Sequence, residues 1–192
     1  MMHLDRILEH LPESRFVVMV RDPAAFLQSY KQQGDRKPPE FRRRFHRLYH
    51  PAVACTVTKR TYEAAQHASR REGVLLVKLE DLVADPETWL LRGRQHLGLP
   101  VSTASSFTQD NSSFADGAVE QRPLSSAERA WLRTLAGPPA AALGYDVDLL
   151  GGSRFALALS GSTLPWWALS NLRTLAKIDQ GGLSSLVKRW LG

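Results

Sequence analysis

The sequence predicts an α/β protein in which helices flank a parallel sheet. Two short, valine-rich apolar runs, residues 16–20 and 74–78, have the length and composition of strands buried on both faces. The stretches around them carry apolar residues at helical spacing, and strands that alternate with helices favour parallel pairing. Since 43% of the 192 residues are hydrophobic, the chain is long and apolar enough to form a core.

We predict a core that reaches about residue 150, followed by a distinct tail. The predicted strands are 16–20 and 74–78, and the predicted helices are 3–12, 23–33, 39–49, 51–71, 86–96 and 125–142. The proposed division is an α/β domain over 1–150 and an amphipathic helical tail over 151–192. Because a sheet with so few strands exposes backbone edges and apolar surface, we expect marginal stability or dependence on a partner.

The first strand leads into a group of residues suited to binding phosphate. Arg21 leaves the strand at its carboxyl end, where open α/β sheets place their ligands. Asp22 and Pro23 predict the start of a helix, with the aspartate as N-cap and the proline at the first helical position. Ser29 follows two turns along, and a guanidinium with a serine hydroxyl can clamp a phosphate. The tripeptide alone favours a simpler interpretation, in which Arg21 caps a helix or pairs with a carboxylate.

Arg21, Asp22 and Pro23, with Ser29 at this spacing, resemble the 3′-phosphate-binding motif of the sulfotransferase family. That family uses 3′-phosphoadenosine 5′-phosphosulfate (PAPS) as sulfuryl donor. Other segments resemble the family in the same order: the second strand with its acidic ending (74–86), the helix ending Gly98-Leu99-Pro100 (89–100), the segment Asn111-Ser112-Ser113-Phe114, and the closing helix ending Leu143-Gly144-Tyr145 (124–145). The resemblance covers residues 5–148 and depends on the ordered set.

The resemblance implies a P-loop-NTPase-like fold and a nucleotide co-substrate. Arg21 and Ser29 would bind the 3′-phosphate of PAPS, and the segment Asn111–Phe114 would lie near the bound nucleotide. The implied reaction is sulfuryl transfer to a hydroxyl or amine acceptor. We expect no metal, because such transfer depends on positioning and on fixed donors.

Departures from the family pattern bear on activity. The family's P-loop-like segment and general base lie upstream of the Arg21 strand, where this sequence has residues 1–14 and no glycine. We therefore predict an N-terminally truncated sheet with little or no turnover, and leave the catalytic residues unassigned. Leu79 stands where the family has a tyrosine beside the adenine, which predicts weaker adenine recognition. The alternative is a non-catalytic remnant that binds a nucleotide, a partner or a membrane.

The tail has the pattern of two amphipathic helices joined at residues 180–182, with tryptophans beside basic residues. Its 164–191 part suits contact with a membrane surface, oligomerisation or packing on the domain, of which packing is commoner. Residues 155–163 faintly resemble the family's missing strand and loop. Because Leu159 stands in place of the expected cation, a hydrophobic tail element is favoured there.

The net charge is +6, and much of the excess lies in residues 36–47. The simpler interpretation is a solvated helix face, and the functional one is a surface that attracts an anionic nucleotide or acidic acceptor. Nucleic-acid binding is not favoured, since no nucleic-acid motif accompanies the charge. The single cysteine, Cys55, excludes an internal disulfide and is expected to be buried. Without a signal peptide or a membrane-span pattern, we expect a cytoplasmic protein.

Overall fold

A two-stranded parallel sheet organises the first half of the chain. A computed structural model describes residues 7, 9–36, 38–100, 122–147 and 151–178. Strands β1 (Phe16–Val20) and β2 (Val74–Lys78) pair in register, from Phe16 opposite Val74 to Val20 opposite Lys78. Both predicted strands and their parallel pairing are therefore confirmed. The protein is mixed α/β, with helix outweighing strand in the described ranges.

Helices make up most of the described residues. In chain order they are α1 (Pro23–Gln32), α2 (Pro39–Leu48), α3 (Pro51–Ser69), α4 (Leu79–Ala84), α5 (Pro86–Leu97), α6 (Ser126–Trp131), α7 (Gly137–Ala141), α8 (Arg154–Ser162) and α9 (Leu164–Ile178). A 3-10 turn, Gln33–Arg36, follows α1, and a π-helical turn, Leu132–Ala136, joins α6 to α7. Residues 7, 9 and 10, inside the predicted N-terminal helix, are also helical.

Proline marks the starts of α1, α2, α3 and α5. Its missing N–H is not needed in the first turn, and its fixed φ angle suits a helix. The Asp22 Oδ1 atom accepts a hydrogen bond from the Ala25 N–H at 2.8 Å, which confirms the predicted cap of α1. Asp85 caps α5 in the same way, accepting from the Thr88 N–H at 3.1 Å. Local sequence therefore defines these helix starts.

The predicted helix over 125–142 is interrupted in the structure. Pro138 and Pro139, in the first turn of α7, have no N–H to donate, and their rings crowd carbonyl groups one turn earlier, so regular α-helical hydrogen bonds cannot continue from the preceding turn. The chain widens into the π-helical turn and then resumes as α7. The short helix α4, which directly follows β2, was not predicted. Other helix ends differ from prediction by one or two residues.

One face of the sheet packs against α3. Val18 and Val20 of β1 are buried against Tyr62, Ala65 and Ala68 of α3. The alanines let the helix approach the strands closely. The other side chains of β1, Val17 and Met19, remain exposed. The expectation of burial on both faces is therefore wrong for β1, whereas the expectation of exposed apolar surface on a small sheet is confirmed.

A second core forms where α1, α3 and the π-helical turn meet. Leu27, Cys55 and Leu132 are fully buried in it. Burial, with a contribution from the Glu128 charge, raises the pKa of the Cys55 thiol to about 12. The thiol therefore stays protonated and behaves as a small apolar side chain, as predicted.

The described part of the tail packs on the body. The Trp131 Nε1 atom donates to the Ser160 hydroxyl at 3.3 Å, and Gly152, at φ +115°, lies so close to Ala130 that a Cβ atom would come within 2.6 Å of its nitrogen. Since residues 154–162 are helical, the strand-and-loop interpretation of 155–163 is wrong. Pro165 stands in the first turn of α9, as expected.

The link at 180–182 and the second predicted tail helix lie outside the described residues. The division at about residue 150 stays a prediction. Across the ranges that the structure describes, no helix combines the length and the hydropathy needed to cross a membrane.

Candidate functional site

The carboxyl ends of both strands bring polar groups to one edge of the sheet. Because the strands are parallel and Val20 lies opposite Lys78, the residues that follow them are neighbours. Arg21 and Asp22 follow β1, and Glu80 follows β2 at the start of α4. The Glu80 Oε1 atom accepts a hydrogen bond from the Asp22 N–H at 2.6 Å. A carboxylate from one strand end thus holds the backbone of the other.

Two tyrosines also donate hydrogen bonds at this edge of the sheet. The Tyr62 hydroxyl donates to the Arg21 carbonyl oxygen, and the Tyr145 hydroxyl donates to Glu80 Oε2 at 3.1 Å. Their rings meet edge to face with centroids 6.0 Å apart. Burial, reinforced by the nearby Asp22 and Glu80 carboxylates, raises the pKa of both phenols. Both tyrosines therefore remain protonated donors, and the Arg21 backbone is held in place.

Arg21 and Ser29, the two predicted phosphate ligands, line the same pocket. Its volume is about 240 Å³, and Phe26, Tyr30 and Gln33 complete its lining. Pockets that bury a drug-sized ligand usually measure about 300–1,000 Å³. This pocket is smaller than that range.

The side chains of Arg21 and Ser29 are not engaged by other described residues. Across the described ranges, no carboxylate pairs with the Arg21 guanidinium and no hydrogen bond engages the Ser29 hydroxyl. Helix α1 begins two residues after Arg21, and the positive end of its dipole favours an anion nearby. Asp22, not Arg21, caps that helix. The simpler interpretation of Arg21 as a cap or as a carboxylate's partner is thus not supported by the described part of the chain.

A buried carboxylate fixes the helix that carries Ser29. Glu128 of α6 is 2% exposed, and accepts from the Lys31 ammonium at 2.9 Å, the Tyr49 hydroxyl at 2.5 Å and the Ser125 N–H at 2.7 Å. Burial alone raises the pKa of Glu128, but these three hydrogen bonds outweigh it and hold the pKa below its usual range. The ionised carboxylate therefore ties α1 to the closing helix two residues beyond Ser29.

A family model described as the sulfotransferase family matches residues 1–103, more than half of the chain. The chain belongs to the sulfotransferase family. The matched range includes Arg21, Ser29 and both strands of this sulfotransferase-family protein, and ends before the segment Asn111–Phe114. No curated protein and no solved structure gives a significant match. Family membership supports sulfuryl transfer as the general class of reaction.

The family segment Asn111–Phe114 lies outside the described residues. Residues Arg122 and Pro123, where the described structure resumes, lie beside α1. There Gln28 donates to the Arg122 carbonyl oxygen at 3.2 Å, and Lys31 donates to the Pro123 carbonyl oxygen at 3.4 Å. Gln28 is the immediate neighbour of Ser29 in the helix.

In the described ranges, no group of three or more histidine, cysteine or carboxylate side chains is arranged to hold a metal ion.

Sequence reasoning missed the residues that position this site, chiefly Tyr62, Glu80, Glu128 and Tyr145. The sequence contained a pattern that could have identified two of these residues, Glu80 and Glu128. Glu80 follows β2 at the same offset at which Asp22 follows β1, so parallel pairing alone would make them neighbours. Ser125 with Glu128 three residues later is the signature of a capping box, which the structure contains. The tyrosines carried no comparable signal.

Proposed function

We propose that this sulfotransferase-family chain binds the 3′-phosphate of PAPS through Arg21 and Ser29. The observation that carries the proposal is their shared pocket, in which neither side chain is engaged by another described residue. A guanidinium presents paired N–H groups that match two phosphate oxygens, and a serine hydroxyl adds a further donor. The neighbouring helix start favours the phosphate charge.

The surroundings of Arg21 support binding by a site that is already formed. Tyr62 and Glu80 hold the backbone on either side of the Arg21–Asp22 peptide bond. Lys31 and Glu128 hold α1, and with it Ser29. Since these groups are ordered before the ligand arrives, less binding free energy is lost to ordering them.

We infer that the segment Asn111-Ser112-Ser113-Phe114 contributes to the same nucleotide site. The supporting observation is that Arg122 and Pro123, which follow this segment in the chain, accept hydrogen bonds from Gln28 and Lys31. These two residues stand on either side of Ser29 in α1. Its serines and asparagine offer hydrogen-bond donors, and Phe114 offers an apolar ring for a base. We further propose that the two-stranded sheet belongs to a P-loop-like arrangement, in keeping with the family.

The proposed reaction is sulfuryl transfer to a hydroxyl or amine acceptor. PAPS, when bound, supplies the activated sulfuryl group. The acceptor oxygen or nitrogen bonds to the sulfur as the bond between the sulfur and the 5′-phosphate oxygen breaks. The products are 3′-phosphoadenosine 5′-phosphate and the sulfated acceptor, whose proton passes to solvent. The role proposed for Arg21 and Ser29 is to bind and orient the nucleotide through its 3′-phosphate, away from the reacting atoms.

Calorimetry with 3′-phosphoadenosine 5′-phosphate tests the proposal. We expect Arg21→Ala to weaken binding at least tenfold, because a hydrogen bond to a charged group contributes roughly 1.5–3 kcal/mol. Ser29→Ala, which removes one donor, should weaken it about fivefold. The matched control is Arg15→Ala at the other end of β1, where the guanidinium donates to the His96 carbonyl oxygen at 2.7 Å. That variant should bind as the parent does.

Two further measurements define what would contradict the proposal. Adenosine 5′-phosphate lacks the 3′-phosphate, so its affinity should be the same for the parent and for Arg21→Ala. A folded Arg21→Ala chain that binds 3′-phosphoadenosine 5′-phosphate as tightly as the parent would rule out the assigned site. Turnover of labelled PAPS with a phenol or amine acceptor then separates the two functions. Transfer supports an enzyme, and binding without transfer supports a nucleotide-binding module.

A further inference from the structure

The tail helix α9 has an inner face that is fixed to the body. The Trp167 Nε1 atom and the Asn171 side-chain amide both donate to the Arg47 carbonyl oxygen, at 3.1 and 3.2 Å. The Trp167 ring also packs on the His50 ring, with centroids 5.5 Å apart. Asn171 is buried. These contacts determine which side of α9 points toward the protein.

The opposite side of the tail exposes large apolar side chains. Phe155 and Leu159 of α8 are 77% and 61% exposed, and Trp166 and Leu169 of α9 are 76% and 68% exposed. They stand four and three residues apart in their helices, so each pair lies on one side of its helix. We call these four residues the tail face. Scattered apolar residues are normal on a protein surface, but here two consecutive helices each expose a pair of large apolar side chains.

The exposure is a consequence of how the tail is docked. Rotating α9 to bury Trp166 would break both hydrogen bonds to the Arg47 carbonyl oxygen and expose Asn171. Rotating α8 would separate Ser160 from Trp131 and disturb the close approach of Gly152 to Ala130. The docked tail therefore keeps the tail face outward.

A basic helix is the neighbour of the tail helix α9. The Arg47 guanidinium of α2 donates to the Ser170 carbonyl oxygen of α9 at 2.7 Å, so α2 and α9 are neighbours. Helix α2 also carries Arg42, Arg43 and Arg44, which are all exposed. Within the described ranges no carboxylate pairs with Arg43 or Arg44. The tail helix that exposes Trp166 and Leu169 therefore has a neighbouring helix with exposed positive charge.

We propose that the tail face and the α2 arginines together form a docking surface for an anionic phospholipid membrane. The apolar side chains enter the boundary between headgroups and acyl chains, and the arginines lie against the anionic headgroups. The charge selects this occupant over a second copy of the chain. A symmetric dimer through the same surface would bring two arginine-rich α2 helices together, and like charges oppose that contact.

Co-sedimentation of the full chain with vesicles tests this surface. The chain should pellet with equimolar phosphatidylcholine and phosphatidylserine, and much less with phosphatidylcholine alone or in high salt. Trp166→Ser with Leu169→Ser should weaken binding at least tenfold. Arg43→Gln with Arg44→Gln should weaken it by about fivefold per arginine. The matched control is Val83→Ser, which removes an exposed apolar side chain of α4 and should change nothing.

Circular dichroism establishes that each variant is folded, as expected for substitutions on the surface. The proposal is overturned if the Trp166→Ser, Leu169→Ser variant pellets as the parent does, or if the parent fails to pellet with the anionic vesicles. Light scattering, which measures the oligomeric state, provides a third test. A parent dimer that this double substitution converts to a monomer would show that a second copy covers the tail face instead.

Discussion

The two ends of the parallel sheet differ in how their arginines are used. At the amino end lies the larger pocket, of about 410 Å³, lined by Pro12, Glu13, Ser14, Arg15, Glu72, Gly73 and His96. The Arg15 guanidinium is already used there, since it donates to the His96 carbonyl oxygen at 2.7 Å. At the carboxyl end the pocket measures about 240 Å³, but no described residue engages the Arg21 guanidinium. We therefore propose the carboxyl-end pocket as the anion site because its cation is available on a fixed backbone, although it is the smaller of the two pockets.

Both ends of the sheet are closed by one side chain that spans the strands. At the amino end, His96 Nε2 lies 3.1 Å from the carbonyl oxygens of Phe16 and Gly73, between the starts of β1 and β2. At the carboxyl end, Glu80 accepts from the Asp22 N–H and from Tyr145. At the amino end, the His96 side chain contacts only backbone carbonyl groups. The carboxyl-end contact also fixes the peptide next to Arg21, so it has a consequence for binding.

Glu128→Ala should give the largest effect on stability. It leaves the Tyr49 hydroxyl and the Ser125 N–H without their buried acceptor and leaves Lys31 without its ion-pair partner. We expect a loss of about 3 kcal/mol in the free energy of unfolding, measured by urea denaturation. The matched control is Glu63→Ala, whose exposed pair with Lys59 at 3.5 Å should contribute less than about 0.5 kcal/mol. Equal losses in both variants would show that Glu128 is not a structural anchor.

Substituting the two spanning side chains tests the comparison between the ends directly. Glu80→Ala and His96→Ala each remove hydrogen bonds across the strands, and each should cost about 1–2 kcal/mol of stability. Only Glu80→Ala should weaken binding of 3′-phosphoadenosine 5′-phosphate, by about fivefold, because only it loosens the backbone beside Arg21. The measurement is calorimetry on both folded variants. A comparable loss of affinity in His96→Ala would mean that general stability, not the local position of Arg21, controls binding.

The pH dependence of unfolding should show a smaller effect with a definite sign. Hydrogen bonds hold the pKa of Glu128 below its usual range, despite the opposing effect of burial. Its contribution to stability is therefore present above the unfolded pKa, about 4.3, and is lost as the pH falls through the folded value. Urea midpoints measured down to about pH 3 should fall for the parent and less steeply for Glu128→Gln.

The contribution of Asp85 to the pH dependence must be distinguished from that of Glu128. Hydrogen bonds from the Thr88 hydroxyl and N–H also lower its pKa, and Asp85 is fully exposed. Its contribution should remain in Glu128→Gln and disappear in Asp85→Asn. If the urea midpoints of the parent and of Glu128→Gln fall equally as the pH is lowered, the role given to the buried carboxylate is contradicted.

Much of the secondary structure could be predicted because its causes are local. Valine-rich runs formed both strands, and Asp22 with Pro23 began α1 as expected. The shared pocket of Arg21 and Ser29 followed from their spacing on a strand end and the next helix. The closing helix was less well predicted, because the effect of two consecutive prolines on the preceding turn was not taken into account.

The amino-acid sequence was enough to predict the family, the parallel strands and several helix starts, whereas Arg21 and Ser29 as phosphate ligands stay a prediction. The helix starts and each single strand depend on residues close together in the chain, through caps, periodicity and fixed backbone angles. The tertiary structure decided which groups support that site and which side of the tail remains exposed. Tyr62 is 41 residues from Arg21, and Lys31 is 97 residues from Glu128. Such contacts arise only when distant elements pack, so no local pattern specifies them.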